Sequence, residues 1–396
     1  MEKRAPENPA ALDQPGSELG LYIHIPFCSA ICNYCNFNRG LFDEGLKSRY
    51  VDALRKEIDK SSSVGQGFSA DMQADTIFFG GGTPSLLEAE DVGAIIQSIR
   101  DRFELSARSE ITLETNPETV DQAKLESFRA AGVNRVSFGV QSFQDAELRR
   151  LGRIHTADRA RAAVRYARAA GFDNVSLDLM MWLPGQSVPA WLQNVDGLIE
   201  AAPDHASLYL LELYPNAPLK EEMARAGWSL APDEDAAEMY VTAMERLERV
   251  GLKQYEISNV ARPGNASRHN LKYWTDGEWL AFGCGAHATS RGVRWRNVAG
   301  TEEYIQRITA GASPIVERRV LSRDERLEEA LFTGLRLSSG IDIGSIGRRY
   351  GVDVWSRYGE NLAPFIAEGW LVREGSSLRL TRPGMLMANE VMAVFV

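Results

Sequence analysis

HIPFCSAICNYCNFN, running from His24 to Asn38, sets Cys28, Cys32 and Cys35 at spacings of four and then three, and places Phe37 two residues after the last of them. A structural zinc site usually closes with four ligands, often as two Cys-x2-4-Cys knuckles far apart in sequence. Here there is a single knuckle of three, and the only other cysteine is the distant Cys284. A redox disulfide motif needs only Cys-x2-Cys, which leaves Cys28 unexplained. Three inert core cysteines have no reason to adopt this spacing. A [4Fe–4S] cluster has four irons. Three thiolates on one tight loop hold three of them, and the fourth iron stays open to a ligand from outside the chain.

The loop follows a strand, and a rhythm starts there. Apolar runs rich in β-branched or aromatic residues occur at Leu21–Ile25, Thr76–Phe79, Glu110–Glu114, Arg135–Gly139, Asn174–Leu179 and Ser207–Glu212. Amphipathic stretches near 46–60, 88–103, 119–131, 145–170 and 189–201 separate them, and another at 234–250 follows the last. Each unit is about as long as a parallel crossover requires. The pattern predicts an α/β fold with a parallel sheet, either curved into a partial barrel or doubly wound. In both, ligands sit at the C-terminal ends of the strands. The cysteine loop, "GGGTP" and "NPE" all fall at such ends.

The remaining sequence sets the limits. A net charge of −10 argues against a general nucleic-acid binder. Four cysteines, three of them clustered, suit a reducing compartment better than a disulfide scaffold. With no signal-peptide core and no run able to span a bilayer, the expected location is cytoplasmic. Residues 1–19 read as a flexible tail, and 20–250 as the barrel. From 251 to 322, glycine, asparagine, arginine and aromatics suggest loops and short strands packed on the barrel. Helices return from Arg323, and Gly369–Gly384 reads as a hairpin. Residues 323–396 are therefore expected to form a small winged-helix-like α+β domain with a packing role.

Several residues on the strand ends could serve the open iron's ligand. Gly80–Gly82 would let backbone approach closely and leave N–H groups free. Glu114 would aim a carboxylate at the mouth. Gln141, Arg153 and Asp178 hold analogous places on later units; Arg153 could clamp a carboxylate, and Asp178 needs a partner if buried. Cys284, in a glycine-rich turn, reads as a small buried residue.

Cys28-x3-Cys32-x2-Cys35, with an aromatic at Tyr34, resembles the cluster loop of the radical S-adenosylmethionine (SAM) superfamily. "YIHIPFC", "GGGTPS", "LETNPE", "FGVQSF", "LGRIHT", "LPGQ", "QYEISN", "RHNLKYW" and "GAH" extend the resemblance over nearly the whole chain. Together they are similar to the coproporphyrinogen III dehydrogenase (HemN)-like family, in its heme chaperone branch. The resemblance implies a partial (β/α)6 barrel, a [4Fe–4S] cluster with one open iron, SAM on that iron, and a radical formed by reductive cleavage of SAM. It implies SAM contacts at Tyr22, Gly81 and Glu114. Tyr34, Gly82, Thr83, Gln141, Arg153 and Asp178 match positions that surround a second SAM in the dehydrogenase. The dehydrogenase loop ends in a fourth cysteine where this chain has Phe37, and the short N-terminus also favours the chaperone branch. That branch implies heme as ligand, acceptor hemoproteins as partners, a homodimer, and an electron donor if the cluster turns over. His269, Tyr273 and Trp274 of "HNLKYW" become candidate heme contacts, with His287 and His24 as alternative ligands, His24 more as a brace for the cluster loop. Asn36 departs from the usual aspartate. Met181–Trp182 replaces the usual Tyr-Gly, and the tryptophan is expected to narrow the barrel mouth.

Overall fold

The computed structural model describes residues 18–61, 73–215 and 217–396. The tail expected over 1–19 lies outside the described residues except for its end, where Leu19 already opens the first strand.

Six strands run parallel: β1 (Leu19–Ile25), β2 (Gln73–Gly81), β3 (Glu104–Thr115), β4 (Arg135–Gln141), β5 (Val175–Met181) and β6 (His205–Leu210). Their sequences are near-continuous apolar runs because helices cover one face and the lumen the other. Leu19, Leu21, Ile23 and Ile25 are buried in β1, as are Ile77 and Phe79 in β2. The helices are α1 (Glu44–Lys60), α2 (Ala89–Arg102), α3 (Gln122–Ala131), α4 (Asp145–Arg150), α5 (Ala157–Ala169), α6 (Val188–Ala201), α7 (Pro218–Ala226) and α8 (Asp233–Arg249). Local capping sets several starts: Asp43, Asp121, Thr156 and Ser187 each accept a backbone N–H of the first turn.

One expected helix is broken and one helix was not foreseen. The helix expected over 145–170 is two helices, α4 and α5, broken at Gly152, whose φ of 65° is left-handed. α7 has no counterpart in the sequence reading.

The segment after α8 extends the sheet at both edges. β7 (Lys253–Glu256) and β8 (Asn259–Ala261) add antiparallel beside β6. On the other side, β9 (Trp279–Phe282) pairs parallel with β1, followed by antiparallel β10 (His287–Ser290), β11 (Val293–Asn297) and β12 (Ile315–Val320). The full order is β12-β11-β10-β9-β1-β2-β3-β4-β5-β6-β8-β7. "RHNLKYW", expected as loop, is the helix α9 (Arg268–Trp274), and α10 (Thr301–Thr309) follows β11. From Arg323 the chain runs helix (Arg323–Gly334), strand (Ile341–Asp342), two helices (Ile343–Tyr350, Val354–Ala367) and the hairpin Leu371–Glu374/Ser377–Leu380, which closes a three-stranded sheet. Arg336 ties this unit to the barrel through the buried Glu256.

Candidate cofactor cleft and barrel floor

The cysteine loop leaves β1 and is closed by a short parallel pairing of Phe27–Cys28 with Gly40–Leu41. The Gly40 amide donates to Pro26 O at 2.7 Å and the Phe42 amide to Cys28 O at 2.9 Å. His24 braces the loop from below, its Nε2 bonded to Asn38 O at 2.8 Å and its Nδ1 to the Tyr22 hydroxyl at 3.2 Å. Arg39 bonds the Cys35 and Phe37 carbonyls. Thr83 Oγ1 lies 3.6 Å from Cys28 Sγ, and Arg153 Nη1 donates to Cys32 Sγ at 3.5 Å. Burial pushes the Cys28 and Cys35 thiols up; the Thr83 hydroxyl opposes this at Cys28 and the Phe37 amide at Cys35. Among the described residues, no three His, Cys, Asp or Glu side chains converge on a single ion. Three thiols presented from one loop onto one cleft match three of the four irons of a cubane. The Phe37 side chain is 64% exposed on the rim.

The loop covers a cleft of about 380 Å³ at the C-terminal ends of β1–β6, in the size range of small-molecule sites. Cys28, Cys32, Cys35, Tyr34, Gly81, Gly82, Thr83, Glu114, Gln141, Arg153 and Asp178 all line it. Tyr22 does not. It sits deeper in the lumen, stacked 6.2 Å from Phe78 and bonded to His24. The amides of Gly81, Gly82 and Thr83 are not free either: they donate to Glu114 Oε2, Ile25 O and Phe27 O. The glycines instead allow two backbones to touch. A Cβ on Gly82 would stand 2.6 Å from Phe27 O. Gly82→Ala must therefore push the strand that carries Cys28. We expect cluster affinity to fall by roughly 10–100-fold, the scale of losing an outer-shell support, read as iron retained per chain against a chelator.

Polar groups wait in the cleft without partners. Gln141 Oε1 and Arg153 Nε are buried and unsatisfied. Gln141 has a left-handed φ of 68° just after a register shift in β4, which turns its side chain into the cleft. Asp178 accepts from the Ser137 hydroxyl at 3.2 Å; burial raises its pKa, and the Ser207 hydroxyl opposes this. Burial, with the Asp178 charge behind it, pushes Glu114 up to about 7. These orphaned acceptors and donors fit an amino-acid-and-ribose ligand such as SAM, whose hydroxyls and ammonium donate and whose carboxylate accepts. The raised Glu114 pKa stabilises the fold fully below the ordinary carboxyl value of 4.5, and that contribution is lost as pH rises through about 7. Thermal midpoints of the ligand-free protein are expected to fall between about pH 5 and pH 8, and Glu114→Gln to flatten the fall.

The heme candidates lie elsewhere. α9 closes the N-terminal end of the barrel, opposite the cleft. Its first amides, Arg268 N and His269 N, donate to the two oxygens of Glu110 at 3.1 Å each. His269 is 1% exposed. Its Nδ1 bonds Thr76 Oγ1 at 2.8 Å and its Nε2 bonds the Tyr273 hydroxyl at 2.9 Å. Burial, aided by the Lys272 charge, lowers its pKa to about 3. Trp274 is roofed by the Arg336 guanidinium at 4.4 Å. In the ligand-free fold both His269 ring nitrogens are hydrogen-bonded to hydroxyls, so ligation of iron there would require one of those bonds to be exchanged. The expectation that Trp182 narrows the mouth is corrected. Its indole turns away from the cleft and donates to Ala231 O at 2.8 Å. Cys284 is fully buried, and its amide donates to the Tyr50 hydroxyl.

Sequence reasoning missed Asn33, Arg39 and the β6 end. Asn33, buried between the cysteines, donates to Arg150 O and Glu222, and its carbonyl accepts the Leu219 amide, so it ties the loop to α4 and α7. An asparagine inside a cysteine motif was the available signal. Tyr209 and Tyr214 close the far wall; nothing in their spacing marked them.

Residues 22–196 match the radical SAM superfamily and residues 321–387 the HemN C-terminal domain. The heme chaperone HemW of Bacillus subtilis is 36% identical, with 95% of this chain and 98% of that protein covered. HemW of Mycobacterium tuberculosis is 34% identical, with 98% of each covered. HemW of Escherichia coli is 40% identical over 68% of this chain and 69% of that one. In fold, the chain superimposes on the coproporphyrinogen III oxidase HemN of Escherichia coli with a TM-score of 0.84, at 22% identity, covering 96% of this chain and 91% of that one. The partial (β/α)6 architecture is thus a shared one, and the chain belongs to the radical SAM superfamily and, within it, to the heme chaperone HemW family.

Proposed function

We propose that the chain is a heme chaperone: it carries a [4Fe–4S] cluster on Cys28, Cys32 and Cys35, holds SAM in the cleft, binds heme, and hands it to acceptor hemoproteins in the cytoplasm. The observation that carries this reading is similarity to heme chaperones along nearly the full length of both chains, in a protein whose loop ends in an exposed Phe37 rather than a fourth cysteine. When bound, the cluster and SAM supply one-electron chemistry. The chain's own groups do the holding: Arg153 and Thr83 steady two of the sulfurs, while Glu114, Gln141 and Asp178 present acceptors to the ligand. In this reading the cluster serves assembly, including a homodimer, and an external electron donor is needed only where it turns over. No helix among the described residues is long and apolar enough to cross a membrane.

A second reading is oxygen-independent coproporphyrinogen III oxidase activity, favoured by the intact cleft residues Gln141, Arg153 and Asp178. One experiment separates the two. The cluster is reconstituted anaerobically and reduced, and SAM is added with coproporphyrinogen III in one arm. In the other arm, heme-loaded protein meets an apo-hemoprotein. Stoichiometric heme transfer without vinyl product supports the chaperone. Vinyl product over multiple turnovers overturns it.

A further inference from the structure

Two sequence motifs, "FGVQSF" (138–143) and "LPGQ" (183–186), meet at one buried carboxyl group, that of Glu147 in α4. Glu147 is 3% exposed. A buried carboxyl group is costly unless its oxygens are hydrogen-bonded. Here the bonds come from three neutral donors on three segments. The Ser142 hydroxyl at 2.6 Å and the Asn194 amide of α6 at 2.8 Å reach Oε2, and the Gln186 amide reaches Oε1 at 2.9 Å. Each donor is itself anchored. Ser142 Oγ accepts the Gln144 amide at 2.9 Å, Asn194 Oδ1 the Phe143 amide at 2.6 Å, and Gln186 Oε1 the Leu183 amide at 3.2 Å.

Glu147 stands between the two cleft residues that hold unsatisfied buried atoms, Gln141 and Arg153. On one side, Ser142 directly follows Gln141, whose φ of 68° is left-handed. On the other, Glu147 O accepts the Leu151 amide at 3.0 Å and Leu148 O accepts the Arg153 amide at 2.9 Å, which folds the chain back at Gly152. Arg153 then donates to Gly139 O through Nη2 and to Cys32 Sγ through Nη1. α4 also touches the cluster loop and the "LPGQ" turn: Arg150 O accepts from Asn33 Nδ2 at 2.7 Å, and Arg150 Nη1 donates to Pro184 O at 2.9 Å. An apolar side chain could fill the same space. Only a carboxyl group offers acceptors on both oxygens, so that donors from opposite sides are held in one register.

We propose that Glu147 is a positioning residue for the cofactor cleft: it lies outside the cleft lining, and through α4 and Ser142 it fixes Gln141 toward the cleft ligand and Arg153 on the Cys32 sulfur. The proposal rests on the cluster being held by Cys28, Cys32 and Cys35 with SAM beside it. Hydrogen bonds to cluster sulfurs help set the reduction potential. A cationic donor favours the reduced cluster, which carries one more negative charge, and so raises that potential. Glu147 acts on the potential at second hand, by keeping the Arg153 bond in place.

The full-length protein and its variants are reconstituted anaerobically and compared below their unfolding transitions. The readouts are the midpoint potential of the cluster, the EPR spectrum of its reduced form and the affinity for SAM. Glu147→Leu keeps the volume and removes both acceptors. It is expected to hold a full cluster with a more negative potential and a shifted EPR spectrum, and to bind SAM at least roughly tenfold more weakly. Arg153→Met is expected to lower the potential as well, and the double variant to go no lower than Arg153→Met alone, because both changes act through one bond. Glu147→Gln keeps one acceptor oxygen; it is expected to shift the same readouts in the same direction by less, and it carries the test if Glu147→Leu does not fold. A role confined to stability would lower the unfolding midpoint and leave potential and SAM affinity at wild type. That result in the folded Glu147 variants overturns the proposal while the cluster reading stands. A wild-type protein that takes up no cluster overturns the reading beneath it.

Discussion

A Cys32→Ser variant is expected to come out of anaerobic reconstitution without a [4Fe–4S] centre, with its brown absorption and bound iron at background. The reason is the number of donors. Cys28, Cys32 and Cys35 are the only thiols on the cleft, and the fourth cysteine, Cys284, is fully buried and held against Tyr50 and Thr301. No spare thiolate can step in. Loss of an outer-shell partner alone costs roughly 10–100-fold in metal affinity, and loss of a ligand from a set of three must exceed that. The serine is nearly isosteric, so the loop's closure, made by Pro26, Cys28 and Asn38 backbone groups, should survive. Unchanged circular dichroism beside absent iron is the expected pair of results. A variant that holds a full complement of iron and sulfide would show that the three thiols are not the ligands. That outcome would remove the basis for a cleft built around an open iron.

The cluster loop was legible because its information is local: three residues, one spacing, one chemistry. The parallel strands were legible for a similar reason. A strand buried on both faces writes itself as an apolar run, and Leu19–Ile25 and Gln73–Gly81 do so. What failed was information held across the chain. The amphipathic period continues through 145–170, and only the left-handed Gly152 marks the break that sends Arg153 back toward Cys32. The glycine amides were expected to be free, yet their acceptors, Ile25 O, Phe27 O and Glu114, lie on other strands. The α9 segment has no apolar period. Its stability comes from Asp75, Thr76 and Glu110 on β2 and β3, and no window around His269 contains them.

Those partners predict a large stability loss at Asp75. Its carboxylate meets Lys272 Nζ at 2.6 Å and Arg268 Nη2 at 2.7 Å. Asp75 and Lys272 are both under one-tenth exposed, whereas Arg268 is 40% exposed. In Asp75→Ala, Arg268 can turn to water, but Lys272 keeps an ammonium in the barrel floor with one carbonyl, Glu18 O, for company. Removing one partner of a buried pair costs about 3–5 kcal/mol, because the other charge is left uncompensated. Urea unfolding should read a loss of that size. Adding Lys272→Met to Asp75→Ala should recover part of it, since the stranded charge goes with the lysine and the two effects couple. The same pair of variants tests what α9 is for. If the helix serves only as a floor plug, the double variant regains stability and heme affinity is the same in all three proteins. If His269 is the iron's ligand, loosening α9 in Asp75→Ala frees its ring from Thr76 and Tyr273, and heme affinity rises. Stability falls in Asp75→Ala in either case, so the heme titration decides between the two.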